Sequence, residues 1–428
     1  MGDDRDLAVV LPTDRDRTYL DDPPDGYRLH WIDDGAFDYP RPDPAFDMVA
    51  YTERCAEYVG TNEIDGVVYS HDIANLVAGV LNDEHGLPGP GFESMFLTDH
   101  KYYSRRRQPE TPWFDAIDLE TGEWGELEPR FPCYIKPAFL TMTLLQHGVE
   151  TPAELEEALG VLRDELPVWN DLFREFFARY VDLDRYPLAT DDVAVVEERL
   201  TDWTQHCVEG WTDPDGEAHV WAVSDHNYYP GDHLAIDNYA TPSTLPPDER
   251  ADLVDLAVET VGRHGIEGGF WNVELFRLDD RNVVTEVNGR AATVWEPLYR
   301  GTFDASVYEG LLHLAAGRPG RVSDAAPGWE PEGEGDRVGG QFHAVTLGEG
   351  PAEDYVDFDF ARDVPDADVE LFVEPGDAIE QTRTSGVWLA RFHLFGDDYG
   401  ALRDRADEIR ANLVNRPAET PAPERYRD

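Results

Sequence analysis

Acidic residues run through every section of this chain, 89 Asp and Glu against 35 Lys and Arg, for a formal net charge of −54 over 428 residues. Such a chain can fold only if nearly all those carboxylates stay in water, where salt screens their repulsion. The acids alternate with apolar residues and do not gather in one tail, so the pattern reads as a solvated acidic surface suited to high salt. A halophilic source is the expectation, with arginine-biased coding an equal explanation of the scarce lysine. Nucleic acid is excluded as a natural partner, because binding it depends on basic side chains that neutralise phosphates.

Hydrophobic residues make up 41% of the chain, enough for a sizeable core. The length exceeds what one core supports, and about three domains are expected. Cys55, Cys133 and Cys207 stand far apart with no CxxC spacing, which signals neither a zinc site nor a disulfide framework. The acidic start "MGDDRD" lacks a signal-peptide pattern and no apolar run approaches spanning length. A cytoplasmic protein without a membrane partner is expected.

From 1 to 98 strand and helix signals alternate: "LAVVLP" (7–12), a helical 46–59, "DGVVYS" (65–70) and a helical 72–86. That order predicts a small parallel α/β domain closed by the breaker cluster "GLPGPG". Residues 99–316 mix hairpins and helices in α+β manner: a strand "CYIKPA", a helix opened by Thr151, Pro152 and Glu154 as a capping box, a strand "VAVVEERL" (193–200), and hairpins over 207–223 and 269–292. The stretch 317–340, rich in Pro, Gly and Glu, reads as a linker. A C-terminal α+β domain is expected over 341–414, and a disordered tail over 415–428.

The hairpin "WNVELFRLDDRNVVTEVNGR" carries the chemistry. Strand side chains alternate, so Asn272 and Glu274 share a face of its first strand, and Glu286, Asn288 and Arg290 share a face of its second. A turn with an odd number of residues would set Glu274 across from Glu286, with Cβ atoms about 4.5–5.5 Å apart. Like charges so placed call for a cation, and Mg²⁺ bound by carboxylates and substrate phosphates meets that need. Asn288 adds a neutral oxygen, and Arg290 offers a planar fork to an anionic substrate or a transferring phosphoryl group. A wet hairpin face fits the spacing equally, but Phe270, Trp271, Val273, Val284 and Val287 around the acids indicate a half-buried strand.

Only two lysines occur, Lys101 in "DHKYYSRRR" and Lys136 in "CYIKPAF". Lysine is a compact point charge that suits phosphate oxygens, and Lys136 sits in an apolar strand fixed by Pro137. Lys101, near a helix start, taken alone reads as an exposed surface lysine.

The ordered set "DHKYYSRR", "FPCYIKPA", "VVEERL", "NVELF" and "VVTEVNGR" resembles the ATP-grasp superfamily and, within it, the carboxylate–amine ligases. The resemblance covers about residues 60–300 and implies an ATP-grasp fold: an N-terminal α/β domain, a two-lobed ATP-binding region and a small C-terminal α+β domain. It implies that Lys101 and Lys136 contact the ATP phosphates, and that Glu197 and Leu200 form the hinge that holds adenine. It implies further that Glu274, Glu286 and Asn288 bind Mg²⁺, with Mn²⁺ an alternative, and that Arg290 lies near the reacting phosphate. The chain departs from the family after "KP", where "AFLTMTLLQHGV" replaces a loop rich in glycine and serine and offers only the hydroxyls of Thr141 and Thr143. Thr204 and Gln205 stand where a ribose-binding acid is expected.

The activity implied is ATP-dependent ligation of an acid, as an acyl phosphate, to an amine, with an amino acid or small peptide as substrate and a homodimer as the commonest assembly. Alternatives are a bicarbonate-using carboxylase or carbamoyl-phosphate-type enzyme, and a nucleotide-binding regulator without turnover. His226 and His233 in "DHNYYPGDH" lack the spacing of a helical metal pair.

Overall fold

The computed structural model describes residues 4–37, 45–125, 130–140, 145–229, 235–328, 337–380 and 386–415. Three parallel strands, β1 (Arg5–Val10), β2 (Tyr27–Ile32) and β3 (Gly66–Val68), form an N-terminal sheet in the order β2-β1-β3. Helices Met48–Thr61 and Asp72–His85 pack on it. The second is held at its start by the His71 ring, which accepts from the Ala74 N–H. It stops at Gly86, whose φ of 63° suits a residue without a side chain. The helix Lys101–Arg105 leads out of this domain.

Strands β4 (Phe114–Asp118), β5 (Cys133–Pro137), β6 (His147–Val149) and β7 (Val193–Glu198) build a four-stranded antiparallel lobe in the order β4-β7-β5-β6. Beneath it runs the long helix Pro152–Tyr180. Thr151 caps the helix as the sequence predicts, but the Glu154 carboxylate takes the N–H of Glu150 at 2.7 Å, one residue before the cap, so the predicted box is displaced. Leu155, Leu159, Leu162 and Leu166 pack under the lobe, whereas Phe173, Phe176 and Phe177 past Pro167 enter the core of the N-terminal domain. One helix thereby ties the two together.

The large sheet comprises β8 (Thr204–Thr212), β9 (Ala218–Tyr228), β10 (Ile236–Thr241), β11 (Phe270–Arg277), β12 (Asn282–Asn288), β13 (Val338–Thr346), β15 (Val369–Leu371) and β17 (Val387–Gly396), in the order β12-β11-β8-β9-β10-β13-β17-β15. A two-stranded ribbon, β14 (Gly350–Pro351) with β16 (Ala378–Ile379), lies outside it. Strands from 338 onward thus extend the sheet that carries the acidic hairpin. The stretch read as a linker contains the helix Pro319–Ala325, whose Val322 is fully buried, and its last residues belong to β13. The tail expected over 415–428 lies outside the described residues, except for Asn415, whose N–H donates to the Tyr355 carbonyl at 2.9 Å. Among the described residues no helix is long and apolar enough to cross a membrane.

Gly66 fixes how the N-terminal sheet meets the helix Val307–Ala315, since a Cβ at 66 would lie 1.8 Å from the Ala315 carbonyl oxygen. Gly66→Val is expected to cost about 1–3 kcal/mol or more through overpacking and to lower the melting midpoint. An unchanged midpoint in a calorimetric scan would contradict this docking.

Candidate active site

The hairpin of β11 and β12 places its acids by a different device from the one its sequence predicts. Arg277 pairs with Asn282, leaving a loop of even length, 278–281, closed by the Leu278 N–H on the Arg281 carbonyl at 2.9 Å. Carried inward, that register would set Glu274 against Thr285. A bulge intervenes: Leu275 pairs with Val284 but Glu274 with Glu286, and Thr285, the extra residue, donates its hydroxyl to the Glu274 carbonyl at 3.1 Å. The two glutamates therefore face each other.

Positive charge surrounds them unevenly. Glu286 Oε1 accepts from Lys101 Nζ at 2.8 Å, and the same ammonium donates to the Leu140 carbonyl at 2.5 Å. Lys101 is 7% exposed, so the surface-lysine expectation fails; the backbone carries it under the strand, with its N–H on the Ala138 carbonyl at 2.7 Å. Glu274 Oε2 accepts from Gln205 Nε2 at 2.7 Å. Burial, and then the Glu286 charge, push the Glu274 carboxyl up to about 7 against the pull of Arg290 and Lys101. Arg290 donates through Nε to Asp72 Oδ1 at 2.6 Å and through Nη2 to Asn288 Oδ1 at 3.3 Å. Asp72 is the first residue of its helix, so the N-terminal domain sets the angle of this arginine.

Two opposed carboxylates with an amide oxygen beside them are the oxygen-only donor set of a hard divalent cation. Burial first, and the Glu286 charge second, keep the Glu274 carboxyl raised even with Arg290 and Lys101 nearby. Glu274, Glu286 and Asn288 thus fit Mg²⁺.

Opposite the hairpin, Lys136 on β5 is buried and its Nζ meets Glu197 Oε1 at 2.7 Å. Glu197 Oε2 takes Arg105 through Nε at 2.8 Å and Nη2 at 2.7 Å, while Arg105 Nη1 donates to Gln108 Oε1 at 2.7 Å and to the Val284 carbonyl of β12. One guanidinium therefore connects the small lobe to the acidic hairpin. Burial, with Arg105 beside it, pulls the Lys136 ammonium down to about 8 while Glu197 holds it up. Burial alone would raise Glu197, but Arg105 and Lys136 outweigh it and keep the carboxyl below its ordinary value.

Glu197 consequently turns its side chain to Lys136 and not to an open hinge, leaving its backbone as what it offers there. Leu200 follows β7 half-buried, with its carbonyl accepting from Trp203 Nε1 at 3.2 Å. Trp203 lies flat on Phe276, with centroids 4.0 Å apart and planes at 3°, which makes an aromatic wall beside the end of β7. Gln205, considered above for ribose, is engaged by Glu274 and by the Tyr228 hydroxyl at 2.6 Å. Thr141, Thr143 and His233 lie outside the described residues. His226 is buried on β9.

Residues 129–296 match the family model of the ATP-grasp domain. The chain resembles the solved L-amino acid ligase from Bacillus licheniformis at 17% identity and a TM-score of 0.73, over 97% of this chain and 99% of that one. It also resembles phosphoribosylglycinamide synthetase from Anaerococcus prevotii (14% identity, TM-score 0.62, 96% and 99% covered) and N5-carboxyaminoimidazole ribonucleotide synthetase from Thermotoga maritima (13%, 0.62, 96% and 98%). A search of curated protein sequences found no match. The chain carries an ATP-grasp domain, within an ATP-grasp fold that spans nearly its whole length. The matched span includes Lys136, Glu197, Leu200, Glu274, Glu286, Asn288 and Arg290; Lys101 precedes it.

The Lys136 ammonium prevails below about pH 8 and is lost above it, so ATP affinity is expected to weaken as pH rises through that value. Glu197→Gln removes the carboxylate that holds the ammonium on and should move this midpoint to lower pH. Calorimetric ATP affinity between about pH 6 and about pH 9 measures it, and an identical midpoint in the variant would contradict the pairing.

Proposed function

We propose that the protein is an ATP-dependent ligase that joins a carboxylic acid to an amine through an acyl phosphate. The observation that carries this reading is the opposed Glu274–Glu286 pair, set by a bulge among Lys101, Arg290 and Asn288 in an ATP-grasp domain. Lys101 and Lys136 would hold phosphate oxygens, while backbone groups from Glu197 to Leu200, with Trp203 beside them, would hold the adenine. Glu274, Glu286 and Asn288 would hold Mg²⁺ or Mn²⁺, which supplies charge neutralisation at the phosphates.

In the first step a carboxylate oxygen of the acid bonds to the terminal phosphorus of ATP as the bond to the bridging oxygen breaks, releasing ADP. In the second the amine nitrogen bonds to the acyl carbon, inorganic phosphate leaves, and the nitrogen loses a proton. Such transfers need placement and charge compensation more than covalent help from the protein. Arg290, held by Asp72, would compensate charge on the phosphoryl group. Lys101 links that region to the Leu140 carbonyl at the edge of the segment after "KPAF". An acyl phosphate hydrolyses readily, so closure against water belongs to the same reading.

An amino acid or small peptide is the proposed acid, supported by the likeness to the L-amino acid ligase. A cytoplasmic homodimer working at high salt completes the proposal, in line with the net charge of −54.

ADP formation in molar KCl with Mg²⁺ and pooled amino acids tests this reading. Substrate-stimulated ADP release is expected. Glu286→Gln should abolish it while leaving the fold intact, and Lys136→Ala should weaken ATP binding about tenfold to a hundredfold, the worth of a charge-assisted contact. Wild-type turnover in Glu286→Gln, or unchanged ATP affinity in Lys136→Ala, would refute the assignments.

A further inference from the structure

One row of directly paired residues crosses the large sheet: Phe276, Gln205, His226, Tyr239, Gln341 and His393, on β11, β8, β9, β10, β13 and β17. Paired positions share a face, and Phe276 lies two residues from Glu274, so the row occupies the face that carries the acidic hairpin. None of these side chains is aliphatic or acidic, although the chain is strongly acidic as a whole. At about 4.8 Å per strand, His226 stands two strands, or about 10 Å, from β11. That is comparable with the reach of an extended aromatic amino acid.

Both ends of the row are satisfied. Gln205 bridges Glu274 and Tyr228, and Gln341 Oε1 accepts from His393 Nε2 at 3.0 Å. The middle is not: among the described residues, His226 Nε2 and Trp295 Nε1 are buried without a hydrogen-bond partner. Both rings stand around Tyr239, with centroids 4.7 Å (His226–Tyr239), 5.2 Å (Tyr239–Trp295) and 5.3 Å (His226–Trp295) apart. Tyr239 is 9% exposed, His226 8% and Trp295 3%. His226 and Trp295 thus carry unpartnered polar atoms on neighbouring rings, and a buried polar group ordinarily has a partner. Indole can only donate, so the partner must offer an acceptor oxygen. Burial, and then the charge of His206, pull His226 down to about 3, so the imidazole is neutral and the site does not select for charge.

We infer that this row seats the side chain of the acid substrate, and that the substrate is an amino acid bearing a flat ring with an oxygen acceptor, a hydroxyphenyl group being the simplest. The inference rests on the ligase reading for the other end of the molecule, which places the substrate carboxylate at the Glu274–Glu286 pair. Trp295 and His226 would bond the ring oxygen while Tyr239 packs on the ring. A site built to bond a hydroxyl discriminates against the analogue that lacks it, because its own groups are then left unpaired.

Titration calorimetry of the full chain in molar KCl, with Mg²⁺ and a non-hydrolysable ATP analogue, tests this with L-tyrosine, L-phenylalanine and L-lysine. L-tyrosine is expected to bind about tenfold more tightly than L-phenylalanine, the worth of one hydrogen bond, and L-lysine not to bind. His226→Phe and Trp295→Phe should each erase the tyrosine advantage over L-phenylalanine, with His226→Gln restoring part of it. Melting curves show which variants fold, and the two positions are read separately. Equal binding of L-tyrosine and L-phenylalanine, binding of L-lysine alone, no binding, or a tyrosine advantage that survives both variants overturns the inference. ADP release measured alongside separates the two claims: discrimination without ADP release sinks the ligase reading and keeps the binding row, whereas ADP release with another acid and no discrimination sinks the inference alone.

Discussion

Two glutamates forced to face each other are the constraint around which this structure is arranged. Left alone, Glu274 and Glu286 would destabilise the hairpin that carries them, and burial together with the Glu286 charge pushes the Glu274 carboxyl up. Lys101 reaches Glu286 from the helix that leaves the N-terminal domain, Gln205 reaches Glu274 from β8, and Arg290 stands beside both on a carboxylate supplied by Asp72. Three separate parts of the chain therefore converge on one pair of acids. A divalent cation between the acids would remove the remaining repulsion, so the stress in the hairpin and its proposed chemistry are one feature.

The buried triad of Arg105, Glu197 and Lys136 plays the complementary part across the cleft. A lone buried lysine would lose its proton, and a lone buried glutamate would gain one; Glu197 keeps its charge because Arg105 and Lys136 are both beside it, and Glu197 in turn holds the Lys136 ammonium against burial and the nearby Arg105. Arg105 also reaches the Val284 carbonyl, so the lobe that carries Lys136 is fixed relative to the hairpin that carries Glu286. Charge and position are maintained by the same contacts. Breaking one partner of such a network leaves another buried and uncompensated, which is why single substitutions here should act strongly.

Much of this was legible in the sequence, and the rest was hidden for identifiable reasons. The period-two pattern put Glu274, Glu286, Asn288 and Arg290 on the correct faces, and the scarcity of lysine singled out Lys101 and Lys136, both of which are buried in the site region. The Thr285 bulge left no local signature, because an extra strand residue looks like any other in a β-rich run. Arg105 stands in "RRR" with Arg106 exposed and Arg107 half-buried, and nothing in the triplet says which one is taken into the core. Asp72 is one helix-start acid among many in an acidic chain. The pairing of β10 with β13, which carries the C-terminal strands into the large sheet, joins segments about a hundred residues apart and depends on contacts that no short-range pattern encodes.

The account rests on transfer of phosphate to the acid, and isotope transfer reads that step without reference to any single residue. With the carboxylate oxygens of a stimulating acid labelled with ¹⁸O, mass spectrometry of the released inorganic phosphate should find one labelled oxygen per turnover. Unlabelled phosphate accompanying product formation would contradict the acyl-phosphate route and with it the role proposed for the opposed glutamates.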